Sequence, residues 1–227
     1  MGRTAWDRRL SSVLAADCQY FHEDRILREI FYNNEWKPLV RDETVIHTTI
    51  GNSFFKGFET ICEALYLLNN AGVRCVWNIA GVRESDLIVK ITKKKLKSKY
   101  PKNGLFLLGM VSEDVLVEHL LGADIYVMPS HIENNANNLC EAMMLGLPCI
   151  STFVGGVGSL IKNEENGILI QDGDPFAMAG AILEIVNNQE MAIEFGKNAR
   201  STALVRHNKL RVVNQVLNSY NQILLNI

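Results

Sequence analysis

From Thr44 onward, short runs rich in β-branched residues alternate with segments of helical periodicity, and few architectures accommodate that order. TVIHTTI (44–50), RCVWNIA (74–80), LFLLG (105–109), DIYVM (124–128), PCIST (148–152) and GILI (167–170) read as strands. Their apolar density fits strands buried on both faces of a parallel sheet. Between them, Ile61, Leu65 and Leu68 recur at i, i+4 and i+7, and Leu116 and Leu120 at i and i+4. Strand followed by helix, repeated about five times, predicts an α/β fold with a doubly wound, Rossmann-like parallel sheet.

Such sheets bind ligands beyond the carboxyl ends of their strands, so chemistry-bearing residues are expected in the loops that follow them. Those loops read GNSFFKG, GVRES, MVSED, PSHIENNANN and FVGGVGS after the first five strands. The segment after Ile170 turns helical. Asp174-Pro175 has the form of an N-cap followed by proline at the first helical position. A second helix is expected over roughly 189–204. A last one carries an apolar stripe of Val213, Val216, Leu217, Tyr220, Ile223 and Leu224. The first 40 residues differ in character, with two short helical patterns and no strand. The expected division is therefore 1–42 as the remnant of a preceding domain and its connector, 43–205 as one Rossmann-like α/β domain and 206–227 as a C-terminal helix.

Composition narrows the function classes. A formal net charge of −2 gives no global pull toward nucleic acid, and no apolar stretch is long enough for a membrane helix. Five scattered cysteines without a Cys-x-x-Cys pair fit a reducing cytoplasm.

The densest chemistry lies in DIYVMPSHIENNANNLCEAMMLG, residues 124–146. An apolar run breaks at Pro129-Ser130, an Asn-rich turn follows, and a helix is expected from near Asn138. Backbone N–H groups and the positive end of a helix dipole suit an anion there, while Glu133 and Glu141 can accept hydrogen bonds from sugar hydroxyls. Each residue also has a plainer reading. Glu133 could be a solvated loop carboxylate. Asn138-x-x-Glu141 has the spacing of a capping box, and Asn134, Asn135, Asn137 and Asn138 suit a turn.

Lys56 follows the first strand and is expected to open the first helix, where a cation is slightly unfavourable unless an anion is bound nearby. Gly155-Gly156-Val157-Gly158 lacks the dinucleotide fingerprint and reads as a tight turn, although its N–H groups could meet a phosphate. Asp172-Gly173-Asp174 mimics a metal motif but reads as turn and cap, so no metal is expected. Seven lysines between Lys90 and Lys102 read as a solvated helix face, with contact to anionic lipid the less favoured reading. His47 and His131 show no ligand spacing.

With these motifs in order, the chain from about Val45 onward resembles the C-terminal, donor-binding half of the GT-B glycosyltransferases of family 4 (glycosyltransferase group 1). The resemblance implies metal-free, retaining transfer from a UDP- or GDP-type nucleotide-sugar, with no cofactor beyond that substrate. It implies that Lys56 neutralises the diphosphate and Glu133 contacts the donor sugar. The turn from Asn134 through Asn135, Ala136, Asn137, Asn138 and Leu139 would cradle phosphate and sugar, and Glu141 would bind the ribose. Gly51, Asn52 and His131 would line the donor site, with base contacts near Gly81 and Met110. Asn52 departs from the pattern, which has an arginine clamp on the diphosphate at that place. The family's N-terminal, acceptor-binding domain is expected as a partner missing from this chain. GRTAWDRRL resembles the connector leaving that domain, so a truncated and inactive donor half is expected. The alternatives are a GT-B sugar-nucleotide epimerase, with His131 as the acid–base candidate, and a non-catalytic nucleotide-binding module.

Overall fold

A computed structural model describes residues 1–225, so the last two positions of the expected C-terminal helix lie outside the described residues. Six strands form one parallel sheet: β1 (Thr44–Thr49), β2 (Cys75–Ala80), β3 (Leu105–Gly109), β4 (Ile125–Met128), β5 (Cys149–Thr152) and β6 (Ile168–Ile170). All six stand where the apolar runs put them, within about one residue. Their spatial order is β3-β2-β1-β4-β5-β6, which makes the sheet doubly wound as expected. It reverses direction between β1 and β4, which pair through Ile46 with Ile125 and His47 with Tyr126.

Helices α3 (Phe58–Asn70), α4 (Leu87–Leu96) and α7 (Pro175–Asn187) pack on one face through a core that includes Trp77, Ile61, Leu65 and Ile182. On the other face α5 (Glu113–Leu121) and α6 (Asn137–Leu145) enclose Tyr126, Leu139 and Met144. Helix α8 (Gln189–Arg206) contributes to both layers. Asp174 caps α7 as its sequence suggests, accepting from the N–H groups of Phe176 and Ala177 at 2.9 Å.

Before the sheet come α1 (Ala5–Leu14) and the short α2 (Glu29–Asn33). Helix α1 buries none of its residues, whereas Leu27, Phe31 and Trp36 pack into the α5–α6 core. The Trp36 indole donates to the Ala123 carbonyl at 2.7 Å. Polar burial joins the two ends of the chain, because the carboxylate of Asp24 meets Arg206 at 2.9 Å, His22 at 3.1 Å and Arg211 at 3.8 Å. The final helix, α9 (Lys209–Leu225), buries Val212 and Ser219 and leaves Val213, Leu217, Tyr220 and Leu224 exposed. Among the described residues no helix is long and apolar enough to cross a membrane.

Candidate functional site

In an open α/β sheet the crevice for a ligand forms where strand order reverses, because the connections leaving the two strands run to opposite faces. Here that point lies between β1 and β4, and the loops after them meet. The His131 N–H donates to the Phe55 carbonyl at 2.8 Å. Gly57 adopts a left-handed φ of 68°, and a Cβ there would stand 2.0 Å from the Pro129 carbonyl oxygen. The close approach of the two loops therefore requires glycine.

Lys56 does not open the first helix. It closes a 3-10 turn, Phe54–Lys56, which left-handed Gly57 separates from α3. That extra turn carries the ammonium across the crevice to Glu133, with Nζ donating to Oε2 at 2.6 Å. The other carboxylate oxygen of Glu133 accepts from the Asn134 N–H at 3.1 Å. Both side chains are largely buried, at 28% and 15% exposure, so their charges interact through a medium less screening than water.

The turn after Glu133 is shaped from behind by the loop after β5. Gly155 has φ 50°, and its Cβ would lie 1.8 Å from the Glu133 carbonyl oxygen, which also accepts the Gly156 N–H at 3.2 Å. The glycine pair is thus a backing for the Asn-rich turn. The Gly156 N–H is bonded within the protein, contrary to its expected availability to phosphate.

The side chain of Asn134 accepts from the Thr4 hydroxyl at 2.8 Å and donates to Asp7 at 3.1 Å, while Asn135 accepts from Arg206 at 3.4 Å. Hydrogen bonds from Tyr20, Arg3, Asn134 and Thr4 outweigh the upward pull of burial and hold the Asp7 carboxyl well below its ordinary range.

Helix α6 begins at Asn137 with Ala136 as its N-cap and no side-chain cap. The N–H groups of Asn137 and Asn138 therefore face outward from the helix end, as an anion site needs. The expected capping box is not formed. Asn138 turns its amide to the Thr49 carbonyl and accepts the Leu139 N–H at 3.0 Å. Glu141 lies beyond the N3 position and faces away from the cap. Its carboxylate takes two bonds from Arg28, Nε to Oε1 and Nη2 to Oε2, both at 3.0 Å. Burial raises its pKa and Arg28 opposes that rise, leaving the carboxyl somewhat above its ordinary value.

His131 is held by both ring nitrogens, Nδ1 to Asp172 at 2.6 Å and Nε2 to Glu59 at 3.3 Å. Burial alone would lower its pKa, but Asp172 and Glu59 outweigh burial and raise it. The Asp172-Gly173-Asp174 motif is thereby divided between a histidine clamp and a helix cap. His47 is fully buried, with its pKa pushed down to about 3 by burial and by nearby His119.

Of the remaining expected residues, Gly51 and Asn52 are exposed at the rim of the crevice and Met110 is exposed beyond β3. Gly81 donates its N–H to Gly109 at 2.7 Å, and Ala136 and Leu139 bury their side chains. Only backbone groups of those two can face a ligand. Arg28, Asp7 and Glu59 touch site residues through contacts that no local sequence pattern signals, and Asp172, read only as part of a turn, does so too. All seven lysines between Lys90 and Lys102 are exposed. A separate crevice of about 260 Å³ opens at the opposite end of the sheet, beside Trp36, Leu39 and Asp124.

Known proteins share both sequence and fold with this chain. The family profile described as Glycosyl transferases group 1 matches residues 33–202. N-acetyl-alpha-D-glucosaminyl L-malate synthase of Bacillus anthracis is 27% identical over 129 residues, covering 57% of this chain and 33% of that protein. The chain thus spans about a third of the length of the curated relatives it matches. Among solved structures, sucrose-phosphate synthase from Thermosynechococcus elongatus superposes over 100% of this chain and 58% of its own, with a TM-score of 0.83 at 19% identity. Anabaena HepE in complex with UDP-glucose superposes over 80% of this chain and 49% of its own, with a TM-score of 0.71 at 18% identity. These two likenesses establish the fold.

Proposed function

The chain belongs to the glycosyl transferases group 1 family, and from that membership we propose that it binds a nucleotide-sugar at the β1–β4 switch point and serves as the donor half of a retaining transfer. The observation that carries this reading is the Lys56–Glu133 pair, 2.6 Å apart and close to the start of α6. A cation, a helix N-terminus and a carboxylate within one crevice match the three parts of a sugar diphosphate.

In this proposal the diphosphate lies at the N–H groups opening α6, and Lys56 shifts from Glu133 toward it as negative charge grows on the departing oxygen. Glu133 is then left to accept a donor-sugar hydroxyl, and Glu141 accepts the ribose hydroxyls. The bond from the anomeric carbon to the diphosphate breaks, the acceptor oxygen bonds to that carbon on the same face, and the acceptor proton passes to the diphosphate. UDP is the leading nucleotide because HepE was solved with UDP-glucose. The acceptor is proposed to come from a second, acceptor-binding half, without which turnover is negligible. A reducing compartment suits five cysteines that are all unpaired.

An epimerase would need an acid–base group in the crevice, but both ring nitrogens of His131 are engaged by carboxylates. A binding module without transfer is favoured by Asn52, which offers no charge to the diphosphate.

Titrating UDP, GDP, ADP and their sugars calorimetrically into the protein tests the donor reading. One nucleotide should bind, and Lys56→Ala or Glu141→Ala should each weaken it by roughly tenfold or more, as loss of a bond to a charged group does. Unchanged binding in both variants would remove the site assignment.

A further inference from the structure

Glu141 reaches its position already engaged by a residue 113 positions earlier in the chain. Arg28 is the N-cap residue of α2, and its guanidinium lies 4.8 Å over the ring of Phe31, which is fully buried. Its Nη1 also approaches Glu113 at 3.6 Å. The fork therefore meets Glu141 in a fixed plane, with both carboxylate oxygens bonded at 3.0 Å. Glu141 keeps 11% of its side chain exposed, while Arg28 keeps 42%.

One hydrogen bond at each oxygen leaves each with an unused lone pair. A carboxylate held in this way presents two parallel acceptors, the arrangement that two neighbouring hydroxyls on one face of a ring require. Without Arg28 the same carboxylate would be buried without a partner cation, a setting that favours the protonated form. A protonated, freely rotating carboxyl accepts a diol poorly.

We propose that Arg28 is a positioning residue for the nucleotide ribose: it holds Glu141 ionised and oriented as a two-oxygen acceptor for the cis 2′,3′-diol, and so confers selection for ribonucleotides. This inference rests on the donor reading above. Arg28 does not touch the ligand in this scheme; it acts through Glu141.

The test uses whichever of UDP, GDP and ADP binds, beside its 2′,3′-dideoxy counterpart, with wild type, Arg28→Ala and Arg28→Lys. The Arg28→Ala protein should bind the ribonucleotide about tenfold more weakly and the dideoxy form unchanged. Arg28→Lys, which keeps the charge but not the fork, should recover part of the loss. Thermal melts confirm that each variant folds. Equal losses for both nucleotides would overturn the inference, since that is what a purely structural residue gives. Tighter ribonucleotide binding in Arg28→Ala would also overturn it, because Arg28 would then be competing with the ribose. A wild type that binds no nucleoside diphosphate removes the donor reading and this inference together, whereas wild-type binding with Arg28→Ala indistinguishable removes this inference alone.

Discussion

Lys56 and Glu133 neutralise each other across two loops, so a diphosphate bound as proposed must draw the lysine away from a partner it already has. The consequence is asymmetric. Replacing Glu133 with Gln frees Lys56 for the diphosphate and removes a nearby negative charge, so the bare nucleoside diphosphate should bind several-fold more tightly. The same substitution costs the donor sugar its acceptor, so the nucleotide-sugar should lose whatever advantage it had over the bare nucleotide. Parallel titrations of Glu133→Gln with both ligands read the two effects separately. At Glu141 the sequence alone was misleading. Asn138-x-x-Glu141 has the right spacing for a capping box, but Asn138 bonds to Thr49 and Leu139, and Glu141 finds Arg28. A capping box is a local pattern. The contact that replaces it spans 113 residues and depends on α2 docking through Phe31, which no spacing rule encodes.

The elements themselves were more legible, because the signals that specify them are local. Each strand is a largely apolar run bounded by polar or glycine residues; β4 and β5 are buried on both faces, which leaves them little alternative register, while edge strand β3 keeps Phe106 exposed. The doubly wound class followed from the strand–helix alternation, whereas the order of the strands is set by pairings that alternation does not encode. In residues 1–42 the two short helical patterns were legible and correspond to α1 and α2, but the docking of Leu27, Phe31 and Trp36 was not, because it is decided by the α5–α6 core. The loop after β4 is pinned by His131 between Glu59 on α3 and Asp172 beyond β6. The folded pKa of His131 is raised, so its clamp contributes fully below the unfolded value of about 6.5 and is lost as pH rises through the folded value. Amide exchange across residues 129–136, corrected for its intrinsic pH dependence, should therefore accelerate at alkaline pH. In His131→Gln that transition should vanish. An unchanged profile in the variant would show that the clamp is not what holds the loop.

Across the whole molecule, polar and apolar surfaces are unevenly placed. The doubly wound sheet gives the β1–β4 crevice at one end, where Phe54, Phe55, Ile132 and Phe153 stand exposed around the β1, β4 and β5 loops. Helices α1 and α9 add further exposed apolar residues, Trp6 and Leu10 on one and Val213 and Leu217 on the other. A crevice of about 260 Å³ lies at the opposite end of the sheet, so the two ends offer a direct choice. In the proposed donor reading, a nucleoside diphosphate binds where β1 and β4 diverge. Amide chemical-shift mapping during titration with UDP, GDP or ADP tests it most directly. The largest changes should fall on Gly51, Lys56 and the residues from Asn134 to Asn138, with Trp36 and Asp124 unaffected. Changes concentrated at Trp36, Leu39 and Asp124, with the loops after β1 and β4 silent, would contradict it.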